Sequence, residues 1–450
     1  MTTQRPNPRP SSVAQRSEEL GLRLIRAAGS LEVMKNPELR ARVSKLLHLG
    51  AKQGFAAQVA AESIGRRFTA KKSSGEATRV PPAKPRREFD LTPTQDQEAL
   101  IEAVRQFGAD VIRPAAAAAD TARTVPAEIV GQAAELGLGL VGVPSDLGGI
   151  AEERSAVTSV LLIEELAHAD LGVTLALMAP AAVANAIAAY GSADQQATFL
   201  PAFTDGEGEP LAAALAMMEP QPLFDPLSPA MTAERDGDEL VLNGVKALVP
   251  LAGTAELFLV SALLDGAPHL VLVEGATAGL VRLDDPAMGL RAAATGRLVL
   301  DGVRVPAGNV LGTTDDHLDC VRRARLAWAA AAVGTGSAVL DHVSGYVKER
   351  VAFGEPIAQR QSVAFAVADI AIEVAGLRLC VWRAASLLDR GADAGDAIGV
   401  ARTLAATHAA QIGSMGVQLL GGHGFVKEFD NERWFRDLQA TGLIEGALAV

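Results

Sequence analysis

The amino-acid sequence predicts an α+β fold in three successive blocks: a helical N-terminal domain, a central β domain and a C-terminal helical bundle. Three observations predict it. Apolar residues recur at helical spacing over residues 90–210, and again from 312 onward. Between these blocks, short apolar runs alternate with turn dipeptides, the texture of strands and hairpins. The composition is 49% apolar and 21% charged with only 4% aromatic residues, which suits closely packed helices with small side chains.

The first 89 residues stand apart. Residues 1–90 carry 18 Lys/Arg against 8 Asp/Glu, whereas the rest of the chain carries 23 against 45. Such asymmetry marks a basic appendage. Two helical patterns run through it. One spans Glu18–Ala28 with Leu20, Leu22, Leu24 and Ile25; the other spans Pro37–Phe68 with Leu39, Val43, Leu46, Leu47, Phe55, Val59 and Ile64. A linker rich in Ser, Gly, Pro and charge follows from Thr69. The appendage reads either as a helical element packed on its own acidic body or as an arm for an anionic membrane or protein surface. Its Lys and Arg are not interleaved with aromatics, so nucleic acid is not expected as a partner.

From Asp90 the helical period begins. Thr92 and Thr94 are candidate N-caps of the first helix, and two later helices, over 155–172 and 174–191, are each expected to end at a glycine. Over 211–311, the dipeptides Asn243-Gly244, Asp265-Gly266 and Asp301-Gly302 read as hairpin turns. From 312 the pattern gives a long helix to about Arg350, another over Ser362–Asp389 and a third from Asp393 to about Leu420.

Several function classes find no support. Two cysteines, Cys320 and Cys380, exclude a disulfide scaffold and fit a reducing compartment. No apolar run is expected to reach the roughly 20 residues of a membrane helix, and the N-terminus lacks an apolar signal region, so a soluble cytoplasmic protein is expected. The histidines show no metal-ligand spacing, and no nucleophile-elbow motif occurs. Gly137-x-Gly139-x-x-Gly142 fits a dinucleotide fingerprint in letters only. A helical run precedes it where a strand is required, so it reads as a helix end and loop.

The C-terminal third carries the strongest pattern. In order stand Arg350, Phe353 and Gly354, then Gln361, then Gln418, Gly421, Gly422, Gly424 and Phe425, then Arg436 and Asp437, and finally Glu445 and Gly446. This ordered set resembles the acyl-CoA dehydrogenase family. The segments ELGLGLVGVPSDLGG, MEP, LNGVK and MGLRAAATGRLVLDGVRVP extend the resemblance upstream, so that it covers residues 90–450. It implies FAD as cofactor and removal of two hydrogens from an acyl-CoA, giving the trans-2-enoyl thioester. It further implies an electron-transferring flavoprotein as electron acceptor and a homo- or hetero-oligomer, because part of the cofactor site comes from a neighbouring subunit.

By the same resemblance Glu445 is the base that takes the α-proton, its backbone N–H helping to hold the thioester oxygen. Taken alone, the residue reads as a surface carboxylate. Its neighbours Gly442, Leu443, Ile444 and Gly446 suggest an apolar setting that would raise its pKa. Arg325 lines the active site in the family pattern; alone it reads as a helix-surface cation beside Arg322 and Arg323. Arg350, Phe353, Gln361, Gln418, Gly421 and Gly422 would hold the pyrophosphate and adenosine, since an arginine supplies charge-assisted hydrogen bonds and paired glycines let the backbone approach phosphates.

The departures from the pattern cluster where the flavin ring would sit. Met218 stands where the family has a threonine, Leu223 and Phe224 replace Gly-Ser before Asp225, and Leu248, Val249 and Pro250 follow Lys246 where the family has an aromatic, Ile, and Thr or Ser. Ala447 replaces the closing threonine. Pro250 has no N–H to give. Each lost hydrogen bond costs about 0.5–1.5 kcal/mol. The resemblance therefore leaves a second reading open, a flavin-poor or non-catalytic subunit of a hetero-oligomer.

Overall fold

The computed structural model describes residues 92–151, 153–204 and 210–450; the basic extension and its linker lie outside the described residues. The N-terminal block is helical. Helix α1 (Gln95–Phe107) starts in a capping box between Thr94 and Gln97 and runs through a π-helical stretch, Gly108–Ile112, into α2 (Arg113–Ala122). Helices α3 (Ala127–Glu135), α4 (Ala156–Ala169), α5 (Leu171–Tyr190), α6 (Ala193–Phe199) and α7 (Pro201–Thr204) follow.

The boundary between α4 and α5 differs from the sequence expectation. Asp170, not a glycine, ends α4, and its carboxylate accepts from the Val173 N–H to start α5. Gly172 lies inside the first turn of α5. The expectation that no segment reaches membrane length is also corrected. α5 is 20 residues long with a mean hydropathy of 1.8. It is 89% buried within the protein, which makes it a core helix. No charged residue falls between Asp170 and Asp194, and Pro180 does not break the run.

The β block holds β1 (Ala213–Ala216), β2 (Thr232–Asp236), β3 (Glu239–Val249), β4 (Leu257–Leu264), β5 (Ala267–Glu274), β6 (Leu280–Asp284), β7 (Gly296–Pro306) and β8 (Val310–Leu311). The strand order is β6-β7-β3-β2-β4-β5-β8, with β1 parallel to β4. Asp265-Gly266 turns β4 into β5 as expected, both residues having positive φ. The other two dipeptides are not turns. Asn243-Gly244 lies inside β3 at a register shift against β7, and Asp301-Gly302 lies inside β7. The Asn243 side chain accepts from the Gly302 N–H across that bulge, so the dipeptides face each other. A Cβ on Gly244 would lie 2.8 Å from the Met231 backbone, which explains the glycine.

The last block comprises α8 (Thr314–Glu349), the short hairpin β9 (Val351–Ala352) and β10 (Glu355–Pro356), α9 (Gln361–Asp389), α10 (Gly395–Leu420), a 3-10 turn at Gly421–Phe425, α11 (Asn431–Leu438) and a second 3-10 turn at Ala440–Gly442. Helix α8 is the axis of the protein, packing on α4, α9 and α10. Its run from Leu326 to Val333 is fully buried. Mostly alanine, that run lets backbones come close. A Cβ on Gly334 would fall 2.1 Å from the Glu164 carbonyl of α4.

The β block also holds a buried ion pair. Lys246 Nζ lies 2.7 Å from Glu219 Oε1 and also donates to the Met217 carbonyl and Ser261 Oγ. Burial pushes the Lys246 ammonium down to about 8, against the pull of Glu219. The pair ties the end of β1 to β3 and β4, fixing Met217 and Met218 in place.

Candidate active site

Glu445 sits on irregular chain just beyond the turn Ala440–Gly442. Helix α8 approaches it from one side. Arg325 Nε lies 3.1 and 3.0 Å from the two carboxylate oxygens, and one turn further on Trp328 Nε1 donates to the Gly446 carbonyl at 2.8 Å. Helix α10 approaches from another side through Arg402. Its guanidinium donates to the carbonyls of Thr441 and Ile444 and reaches Glu445 Oε1 at 3.4 Å. The carboxylate therefore rests between two guanidinium groups, which corrects the apolar setting read from its neighbours in sequence. The Leu443 side chain points into solvent, 67% exposed, and shields nothing. Glu445 itself is 9% exposed. Among the described residues, its N–H donates to no other backbone group.

Beyond Glu445 the chain lays itself along β1. Gly446 pairs with Ala216, and the Ala447 N–H donates to the Leu215 carbonyl. Gly446 has φ +75°, and a Cβ there would fall 2.7 Å from Met217 Cβ. Only glycine fits both the left-handed backbone and the contact. Ala447 to Val450 are buried, and the Val450 carbonyl accepts from Arg154 at 2.9 Å and Arg323 at 3.4 Å.

Three of the atypical residues, Met218, Pro250 and Ala447, are held by or near β1 and β3, whereas Leu223 is fully exposed. Ala447 is bound to Leu215, the half-buried Met218 accepts from the Ala247 N–H, and Pro250 is buried just beyond β3. The backbone donors nearby are committed inside the protein. Leu248 N–H bonds the Asp285 carboxylate, and Leu251 N–H bonds the Ala293 carbonyl. Leu248, Leu251 and Ala447 all have positive φ, an unusual concentration of left-handed backbone at non-glycine residues. The nearby backbone amides are thus taken, and Pro250 and Ala447 are themselves buried.

Where β9, α8 and α10 meet lies a cavity of about 300 Å³, lined by Tyr346, Arg350, Ile357, Gln418, Gly421, Gly422 and His423, among others. Arg350 makes no ion pair among the described residues. A Cβ on Gly421 or Gly422 would meet nothing within 4 Å, so their backbone borders open space. Gly421 also has φ +59°. An uncommitted guanidinium, a primary amide and bare peptide groups around one cavity form a donor set that fits phosphate oxygens. Thus the nucleotide end of FAD fits the residues present.

Phe353 and Gln361 are not brought to the cavity. Phe353 is 94% exposed at the tip of the β9–β10 hairpin, with the Arg360 guanidinium 5.3 Å from its ring centroid; Gln361 is exposed at the first turn of α9. Arg436 and Asp437 are structural ties. Arg436 holds Asp120 and Glu432, and the buried Asp437 accepts from the Leu290 N–H. Sequence reasoning missed Arg402, Tyr346 and His423. Tyr346 Oη lies 2.7 Å from His423 Nδ1 on the cavity wall. The position of His423 inside the Gly-Gly-x-Gly run was a usable signal; Arg402 on a helix face gave none.

Three family models match this chain in order: the acyl-CoA dehydrogenase N-terminal domain over residues 94–207, the middle domain over 214–303 and the C-terminal domain over 317–450. Among similar curated proteins are an acryloyl-CoA reductase (NADH) from Anaerotignum propionicum, 31% identical over 80% of this chain and 93% of its own length, and an acyl-CoA dehydrogenase from Bacillus subtilis, 30% identical over 78% and 95%. The solved structure of butyryl-CoA dehydrogenase from Megasphaera elsdenii superposes with a TM-score of 0.73 at 27% identity, covering 80% of this chain and 96% of that one.

Proposed function

The chain belongs to the acyl-CoA dehydrogenase family, and from that membership we propose that it is an FAD-dependent oxidoreductase that dehydrogenates an acyl-CoA between Cα and Cβ. The observation that carries the reading is the pairing of a buried, clamped carboxylate, Glu445, with a separate phosphate-fitting cavity at Arg350, Gln418, Gly421 and Gly422.

FAD, when bound, supplies the hydride acceptor. The protein's own residues do the rest. Arg350, Gln418 and the Gly421-Gly422 peptides would hold the pyrophosphate side, and the ring would lie toward Met218, Pro250 and Ala447. The Glu445 carboxylate takes the α-proton, and its N–H donates to the thioester oxygen, where charge builds as the proton leaves. For a carboxylate oxygen to face the substrate, Arg325 must release it. Arg325 is the more exposed of the two clamping arginines, 29% against 12%.

Replacing Glu445 by Gln tests this. Turnover of an acyl-CoA should fall by at least about 10²-fold, the lower bound for loss of a positioned base, with FAD content unchanged. Undiminished turnover removes Glu445 as the base.

Electrons leave to an electron-transferring flavoprotein in this reading, and the working form is an oligomer. Helix α9 supports the oligomer: Phe365, Ile372 and Leu379 are exposed at seven-residue spacing, an apolar stripe fit for a second chain. The protein is cytoplasmic in this reading, and the basic charge of the extension suits an acidic surface, its own body's or a partner's. A second reading, a flavin-poor subunit of a hetero-oligomer, is favoured by one observation: the amides of Ala247, Leu248, Leu251 and Ala447 are all committed internally. FAD stoichiometry of the chain expressed alone separates the two.

A further inference from the structure

Glu445 has no helix or strand to hold it. Gly442 and Gly446 flank it, and Leu443 beside it is exposed. A base must nevertheless meet a C–H bond within a fraction of an ångström. Something outside the loop must therefore set its place.

Helix α10 supplies it. Arg402 spreads its guanidinium over three acceptors of this one loop: the Thr441 carbonyl, the Ile444 carbonyl at 2.9 Å and Glu445 Oε1 at 3.4 Å. One turn along the same helix, Ala406 receives the loop directly. A Cβ on Gly442 would stand 3.0 Å from Ala406 Cα, so the peptide at Gly442 lies flat against α10. The side chain of Arg402 is 12% exposed, and burial lowers its pKa while Glu445 raises it. Its two carbonyl bonds bear on the backbone on both sides of Leu443. Arg325 differs, because both of its contacts with the loop go to the carboxylate itself.

We propose that Arg402 is the positioning residue of the catalytic base: it fixes the backbone of the 441–445 loop against α10, so that Glu445 keeps its place when Arg325 lets go. The division of labour follows from what each arginine touches. Arg325 addresses the carboxylate alone, whereas Arg402 also holds the main chain. A planar fork suits this task, because two carbonyls and one carboxylate oxygen are met by a single rigid group. A lysine in its place presents one ammonium on a flexible stem and satisfies fewer of the three acceptors.

This rests on Glu445 being the base, and the experiment separates the two claims. Arg402→Gln and Arg402→Lys are compared with Glu445→Gln in the FAD-loaded protein, reading kcat, KM for the acyl-CoA, FAD content and the thermal midpoint. The expected result is a kcat lower by about 30–100-fold in Arg402→Gln, the scale of a misplacement near 1 Å. KM should stay within about threefold, FAD content should be unchanged, and Arg402→Lys should recover part of the loss. A kcat near wild type overturns the proposal. So does a loss in which FAD or the folded state goes too and lysine rescues nothing, since that is a structural role only. Turnover retained in Glu445→Gln removes the base itself, whatever Arg402 does.

Discussion

Replacing Gly446 by Ala perturbs the site through a single methyl group. The residue has φ +75°, where a side chain costs about 1–2 kcal/mol in backbone strain. The new Cβ would also stand 2.7 Å from Met217 Cβ and 2.8 Å from its Cγ. Met217 cannot easily retreat, since its carbonyl is held by the buried Lys246. Overpacking of this kind adds about 1–3 kcal/mol, so the total is on the order of 2–5 kcal/mol. Thermal unfolding should drop by about 3–7 °C, at roughly 2.1 cal/mol/K of unfolding entropy per residue, and kcat should fall with it, because Glu445 is the preceding residue. A Gly446→Ala protein that melts and turns over like the wild type would refute the reasoning.

Three further outcomes are expected. Burial pushes Glu164 of α4 up to about 7, against its ion pair with Arg378 and its hydrogen bond from Trp382. A carboxyl raised in the folded state binds its proton more tightly there than in the unfolded chain. Its contribution to stability is therefore present below about pH 4.5 and lost as pH rises through about 7, on the order of 3 kcal/mol in all. Thermal melts across that range should fall less steeply in Glu164→Gln than in the wild type; parallel curves would contradict it. Arg350→Ala should weaken FAD retention by about 10–100-fold, the value of a charge-assisted contact, as read by equilibrium dialysis. Met218→Thr combined with Pro250→Thr should slow FAD release if the ring side lacks donors; an unchanged release rate would show that the apolar seat suffices.

The fold was legible where periodicity is strong. The long helices of the C-terminal block are apolar at helical spacing along their whole length, and α8 ends at Glu349, next to the expected Arg350. Local chemistry misled where tertiary structure reused it. Asn243-Gly244 and Asp301-Gly302 have the letters of hairpin turns but meet across a bulge between two long strands, because Gly244 is needed for close approach to Met231 and Gly302 for its positive φ. At α4 and α5 the glycine expected to stop a helix sits inside the next one, because Asp170 already caps it.

The candidate site was legible only through the ordered motifs. Glu445 and Arg325 stand 120 positions apart and touch, while Arg350, Gln418, Gly421 and Gly422 share one cavity. What no motif showed was the environment of Glu445. The apolar neighbours in sequence do not shield the carboxylate, and its real partners come from α8 and α10. Arg402 was invisible for the same reason: its role depends on which face of α10 the loop lands.

The most direct test of the account is anaerobic titration of the FAD-loaded protein with acyl-CoA thioesters, followed by visible absorption and product analysis. The account predicts bleaching of the oxidised-flavin band together with formation of the trans-2-enoyl thioester, and no bleaching in Glu445→Gln at equal FAD content. A flavin band that persists in the wild type across straight and branched acyl-CoA substrates, or bleaching that survives Glu445→Gln, would contradict it.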